Sequence, residues 1–112
     1  MKDTSRKVYF ARCIGPTGQP LGAYKIGCSY GFNDRIKSAA ASLPFTLELV
    51  AVTTGSMVME AICHQHLKAY RIRGEYFREC PETDGFVDRV ARTGDAFHHI
   101  SDPGSDAAWG AA

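Results

Sequence analysis

A short strand-like segment that ends on a glycine constrains this sequence most. Residues 24–29 read Tyr-Lys-Ile-Gly-Cys-Ser, and Arg35 follows Gly27 by eight residues. This pattern predicts a strand, a loop and then a helix with an arginine near its start. The unit suits phosphate chemistry, because the strand holds Lys25, Gly27 lets a backbone or a phosphate approach closely, and the helix start presents Arg35 among free amides. Many α/β proteins contain such a unit, so its meaning depends on the surrounding segments.

The surrounding segments predict an α/β fold with a small antiparallel sheet of three strands flanked by helices. Residues 8–14 follow the two-residue alternation of a strand, and the turn-forming residues 15–22 join them to a second strand at 23–28. Residues 46–53 are rich in β-branched and apolar side chains and form the third predicted strand.

The helices follow from the spacing of apolar residues. Helical periodicity predicts one helix at about 32–43 and a second at about 57–70, for which Ser56 is the expected N-cap. A last helix is expected within 81–100, broken or weakened at Gly94. The element order is therefore β-β-α-β-α with a C-terminal helix.

The second predicted strand has two unlike faces. One face carries the large side chains of Tyr24, Ile26 and Cys28, and the other carries Ala23, Lys25 and Gly27. Since neighbouring side chains of a strand point to opposite faces, we expect a sheet that is packed on one side and open to a ligand on the other.

Composition limits the function classes. The 112 residues suit one domain, and a net charge of +1 does not by itself favour nucleic acid. Any such binding must depend on a local basic patch, for which the candidates are Lys68, Arg71, Arg73 and Arg78. The four cysteines contain no Cys-x-x-Cys pair, which argues against a disulfide framework and a thiolate zinc site. Without a membrane-length apolar run or a signal-like start, a cytoplasmic protein is expected.

Five short motifs occur in order along residues 7–80: Val8-Tyr9, Lys25-Ile26-Gly27, Arg35, Glu60-x-x-x-His64 and Gly74-Glu75-Tyr76-Phe77. Their order and spacing resemble the GIY-YIG nuclease superfamily, and most of all its small phage-type subfamily. The resemblance implies a nuclease domain at 7–80, a helical extension at 81–100 and a phage or mobile-element origin. Residues 101–112 are rich in Gly, Ala, Ser and Asp and are expected to be disordered.

The resemblance also implies roles for individual side chains. Tyr9 matches the tyrosine of the first motif, Arg35 the helix arginine that clamps phosphate, and Glu60 the glutamate that binds one Mg²⁺ or Mn²⁺. The second motif of the family has a tyrosine where this chain has Lys25, so the general base is either Tyr9 or Lys25. His64 is either a catalytic residue or a hydrogen-bonded structural histidine.

The implied function is cleavage of DNA phosphodiester bonds by a divalent-metal-dependent endonuclease, with Arg71, Arg73 and Lys68 contacting the DNA backbone. Glu75-Tyr76-Phe77 is interpreted as packing and a turn. Two alternatives stay open. One is a catalytically inactive DNA-binding or repair-associated module of the same fold, and the other is a binder of RNA or of a small ligand. Low specificity, a homodimer or a recruiting partner protein would each fit a chain with little room for a separate specificity region.

Overall fold

One antiparallel sheet organises the computed structural model, which describes residues 6–29 and 44–100. Within those residues the sheet has five strands in the order β3-β1-β2-β5-β4. Their bounds are Lys7–Ile14 for β1, Pro20–Ser29 for β2, Thr46–Thr54 for β3, Arg71–Arg73 for β4 and Tyr76–Arg78 for β5. The described helices are α1 (Met57–His66), α2 (Pro81–Thr93) and α3 (Ala96–Ile100), with a 3₁₀ turn at Lys68–Tyr70.

The predicted α/β class with an antiparallel sheet is confirmed, but the three-stranded sheet is wrong. Strands β4 and β5 have three residues each, too few to show an alternation in sequence. They form a hairpin around Gly74, whose φ of +56° is the left-handed conformation that favours glycine. The Arg71 Nε donates to the Gly74 carbonyl at 2.7 Å, so one local hydrogen bond closes the hairpin, and the pairing of β5 with β2 fixes the hairpin to the sheet.

The helices differ from prediction in their ends. Ser56 is the N-cap of α1, where its side chain accepts from the Val58 N–H at 3.2 Å, but the helix ends at His66. The expected interruption of the last helix at Gly94 is confirmed, because Gly94 has a φ of +71°, caps α2 and separates it from α3. Helix 32–43 with Arg35, and the tail at 101–112, lie outside the described residues.

The main core lies between one face of the sheet and all three described helices. Its buried side chains come from the sheet (Val8, Phe10, Tyr24, Ile26, Ala51, Phe77), from α1 and its C-cap (Cys63, Leu67), and from α2 and α3 (Phe86, Val87, Val90, Ala96, Ile100). On the other face Tyr9 and Ala11 are also buried, against Leu47 and Val52. Strand β1 is therefore covered on both faces, and the expectation of one open face fails there.

A partly buried polar network ties the sheet to the start of α2. Arg12 on β1 donates to the Tyr24 hydroxyl at 3.0 Å, and this hydroxyl donates to the Asp84 carboxylate. The Arg12 Nε also lies 3.4 Å from the Glu79 Oε2. Burial and the hydrogen bond to Asp84 both raise the pKa of Tyr24, so its hydroxyl stays protonated and keeps donating.

Candidate functional site

Gly27 leaves space that a tyrosine ring occupies. Tyr9 and Gly27 are directly opposite each other on β1 and β2. A Cβ placed on Gly27 would lie 2.5 Å from the Tyr9 Oη and 2.6 Å from its Cζ. The expected close approach at Gly27 is therefore made by Tyr9, which exposes 1% of its surface. The Lys25 Nζ lies 5.9 Å from the centroid of the same ring, within cation–π range.

Lys25 belongs to a row of side chains that crosses the sheet. It is paired with Tyr76 on β5, and Tyr76 is in turn paired with Arg73 on β4. These residues border an open cleft of about 360 Å³, lined by Lys25, Arg73, Gly74, Glu75 and Tyr76. Tyr76 also packs against Phe45, with the two ring centroids 6.2 Å apart. The cleft thus combines two cations, one carboxylate and one aromatic ring.

Helix α1 brings Glu60 and His64 to the same end of the sheet. The two residues are one turn apart, so their side chains project together. The His64 Nε2 lies 3.0 Å from the Ile26 carbonyl, and its ring packs 5.0 Å from that of Phe77. A carbonyl only accepts, so Nε2 carries the proton and Nδ1 does not in the neutral ring. The Ile26 N–H donates to the Glu75 carbonyl at 2.9 Å, which places Glu75 beside this contact.

The charges of two cleft residues, Glu75 and Lys25, affect the pKa of Glu60. Burial raises the pKa of the Glu60 carboxyl, the Glu75 charge raises it further, and the charges of His64 and Lys25 lower it. Helix α1 packs on the sheet face opposite to Lys25, because Cys63 on α1 is part of the main core. Glu60 is therefore carried by an element on the side of the sheet opposite to Lys25, and the charges of the two residues still interact.

The described residues contain carboxylates but no ready-made metal cluster. Among residues 6–29 and 44–100, no group of three or more His, Cys, Asp and Glu side chains is gathered closely enough to hold a metal by itself. Mg²⁺ and Mn²⁺ are commonly held by one or two carboxylates, with water and phosphate oxygens completing the shell. Glu60 and Glu75 are carboxylates of this kind.

The predicted DNA contacts lie around the hairpin. Lys68 on the 3₁₀ turn and Arg71 and Arg73 on β4 are exposed. Arg71 also has a local role, because its Nε is bonded to the hairpin turn at Gly74. Arg35 lies outside the described residues.

Two cleft residues were missed as site candidates. The sequence signal was Gly74-Glu75-Tyr76-Phe77, and its interpretation as packing holds for Phe77, which is fully buried. Glu75 and Tyr76 instead line the cleft.

Comparison with known proteins corrects the expected family assignment. A family model described as T5orf172 domain matches residues 7–93. No curated protein and no solved structure matches the chain. The expected GIY-YIG assignment is therefore wrong, because the matching family is a different one. The sequence already departs from the GIY-YIG pattern at Lys25, where that family has a tyrosine. In the described part of the chain, no helix is both long and apolar enough to cross a lipid bilayer.

Proposed function

Because the chain belongs to the T5orf172 domain family, we propose that it hydrolyses DNA phosphodiester bonds with the help of a divalent cation, Mg²⁺ or Mn²⁺. T5orf172 domains are phage-type domains that are often linked to nuclease and DNA-binding functions. The observation that carries the proposal is the grouping of an amine, two carboxylates and an imidazole at one end of β2: Lys25, Glu60, Glu75 and His64.

Lys25 is the side chain of this group best suited to meet a phosphate or an attacking water. It lines the cleft, whereas Tyr9 is buried with its hydroxyl against Gly27. Lys25 is therefore the proposed phosphate contact and the preferred candidate for the general base, and Tyr9 supports the amine through its ring. Arg35 is the proposed second phosphate contact, through the two parallel N–H groups of its guanidinium.

Glu60, with Glu75 beside it, would hold the cation. When bound, the cation would neutralise charge on the phosphate and lower the pKa of a bound water. Burial raises the pKa of Glu60 and the charge of Glu75 raises it further, and a bound cation would oppose both effects because it favours the ionised carboxylate. His64 donates to the Ile26 carbonyl and so holds α1, and with it Glu60, against β2.

Basic residues of the hairpin and of the turn before it would bind the DNA backbone. Lys68, Arg71 and Arg73 are exposed, Arg73 also lines the cleft, and backbone contacts of this kind position a duplex without reading its sequence. Sequence specificity would then come from a second copy of the chain or from a recruiting protein.

The test is nicking of supercoiled plasmid by the purified chain in Mg²⁺ or Mn²⁺, read on agarose gels. We expect Lys25→Met, Glu60→Gln and Arg35→Ala each to lower the nicking rate roughly 10²- to 10⁴-fold. Glu82→Gln and Arg92→Ala are matched controls, because both residues are exposed on α2. Circular dichroism of every variant checks that the fold is kept.

The outcomes separate the alternatives. Nicking that persists in Lys25→Met and Glu60→Gln would refute the proposed site. DNA binding by a wild-type chain that nicks no substrate would support the inactive DNA-binding module instead. Between the two candidate bases, Tyr9→Phe should keep most of the activity if Lys25 is the base, and should lose it if the tyrosine hydroxyl is needed.

A further inference from the structure

The row that crosses the sheet has an aromatic ring between two cations. Lys25 on β2 and Arg73 on β4 are both paired with Tyr76 on the intervening strand β5. Directly opposite residues of antiparallel strands share a face, with Cβ atoms about 4.5–5.5 Å apart. The Tyr76 ring is therefore flanked on both sides by positive charge. This order depends on strand pairing, because Lys25 is far in sequence from the hairpin that carries Arg73 and Tyr76.

The cleft beside this row suits a single nucleotide unit. Its volume of about 360 Å³ is at the small end of the range for ligand-binding clefts. The position of a Cβ on Gly74 has no atom within 4 Å, so the hairpin turn leaves room for a ligand. Phe45 packs against Tyr76 with the two ring planes at 81°, and this contact supports the Tyr76 ring.

The charged residues of the cleft suit different parts of a nucleotide. Lys25 and Arg73 attract phosphate, whereas the Glu75 carboxylate repels phosphate and accepts hydrogen bonds from base amino groups. Aromatic side chains in grooves of this kind stack on unpaired bases of any sequence. A base in a continuous duplex is stacked on its neighbours and does not offer a free face.

We propose, on the basis of the nuclease function above, that Lys25, Tyr76 and Arg73 form a binding track for single-stranded DNA. In this track one unpaired base stacks on Tyr76, and the flanking phosphates contact Lys25 and Arg73. The preferred substrates would then be single strands, flaps and other DNA with unpaired nucleotides, rather than uninterrupted duplex.

The test is fluorescence anisotropy of the full-length chain with a labelled single strand of about 12 nucleotides and with a blunt duplex of the same sequence. EDTA is present, so no cleavage occurs. We expect Tyr76→Leu to weaken single-strand binding about 5- to 140-fold, the range for loss of one base–aromatic stack, with little change for the duplex. Tyr76→Phe keeps the ring and should bind as the wild type does.

A salt titration tests the cations separately. Arg73→Ala should reduce the slope of log K against log salt by about 0.7 for the single strand, the value for one phosphate contact. Arg73 is exposed on an edge strand, so this variant is expected to fold even if Tyr76→Leu does not. Arg92→Ala on α2 is the control of equal charge and should leave the slope unchanged.

The results distinguish this inference from the nuclease proposal. Equal weakening of single-strand and duplex binding by Tyr76→Leu, or wild-type binding of the single strand by that variant, would overturn the track. A chain that nicks plasmid but does not bind single strands at low salt would also overturn it and would leave the nuclease intact. Binding of single strands that depends on Tyr76, without nicking of any substrate, would keep the track and refute the nuclease.

Discussion

The contact between Tyr9 and Gly27 permits a prediction in which two physical effects have opposite signs. Gly27 does not have a left-handed φ, so alanine fits its backbone conformation. Gly27→Ala would by itself stabilise the protein by about 0.4–1 kcal/mol, because alanine lowers the conformational entropy of the unfolded chain. The added Cβ, however, would lie 2.5 Å, 2.6 Å and 3.0 Å from the Oη, Cζ and Cε1 of Tyr9. Carbon atoms in favourable contact are about 3.5–4.0 Å apart, so the methyl group is roughly 1 Å too close.

The Tyr9 ring has little freedom to move away. It exposes 1% of its surface and packs with Ala11, Leu47 and Val52. Overpacking of a well-filled core costs about 1–3 kcal/mol, which is larger than the entropic gain. We therefore expect Gly27→Ala to lower the free energy of unfolding by about 1–2 kcal/mol, in urea titrations followed by far-UV circular dichroism.

A double-mutant cycle isolates the clash. Tyr9→Leu removes all three of the close ring atoms, so Gly27→Ala in that background should be neutral or stabilising. Tyr9→Phe is the control, because it removes the Oη but leaves the Cζ at 2.6 Å, and the clash should persist. If Gly27→Ala is as stable as the wild type, or equally destabilising with leucine at position 9, the assignment of this space to the Tyr9 ring is wrong.

Two further predictions concern buried polar groups. Tyr24→Phe removes the hydroxyl that links Arg12 with Asp84. In urea titrations this variant should lower the free energy of unfolding by about 1–3 kcal/mol. An unchanged urea midpoint would contradict the hydrogen-bond network of Arg12, Tyr24 and Asp84. Burial and the charge of Glu75 raise the pKa of Glu60 in the folded protein. A group with a raised folded-state pKa destabilises the fold as the pH rises through that pKa. Glu60→Gln should therefore raise the melting temperature at pH 7. The gain should vanish below the unfolded value of 4.5, and a gain of equal size at pH 3 would contradict the reasoning.

The elements that the sequence predicted are those with a local signal. Strands β1 to β3 are eight to ten residues long, enough for alternation and β-branched content to appear. The start of α1 was predicted from Ser56, since capping depends on residues within one turn. The short strands β4 and β5 have no such signal. They form because β5 pairs with the edge of β2 and because Gly74 allows the tight turn of the hairpin.

The site shows the same division. The roles of Lys25, Glu60 and His64 in phosphate and metal chemistry were inferred from a family resemblance, and they stay predictions. Their surroundings depend on packing. The sequence did not indicate that Tyr9 fills the space at Gly27 or that His64 bonds the Ile26 carbonyl.

The sequence by itself determined the class of the fold, the longer strands, the start of α1 and the residue types available for chemistry, because each of these follows from neighbouring side chains. Tertiary structure alone decided that Lys25, Tyr76 and Arg73 form one row, and that α1, which carries Glu60, packs on the sheet face opposite to Lys25. The physical reason is that strand register and helix packing are set by burial of the whole core, so that residues 50 positions apart become neighbours only when that core forms.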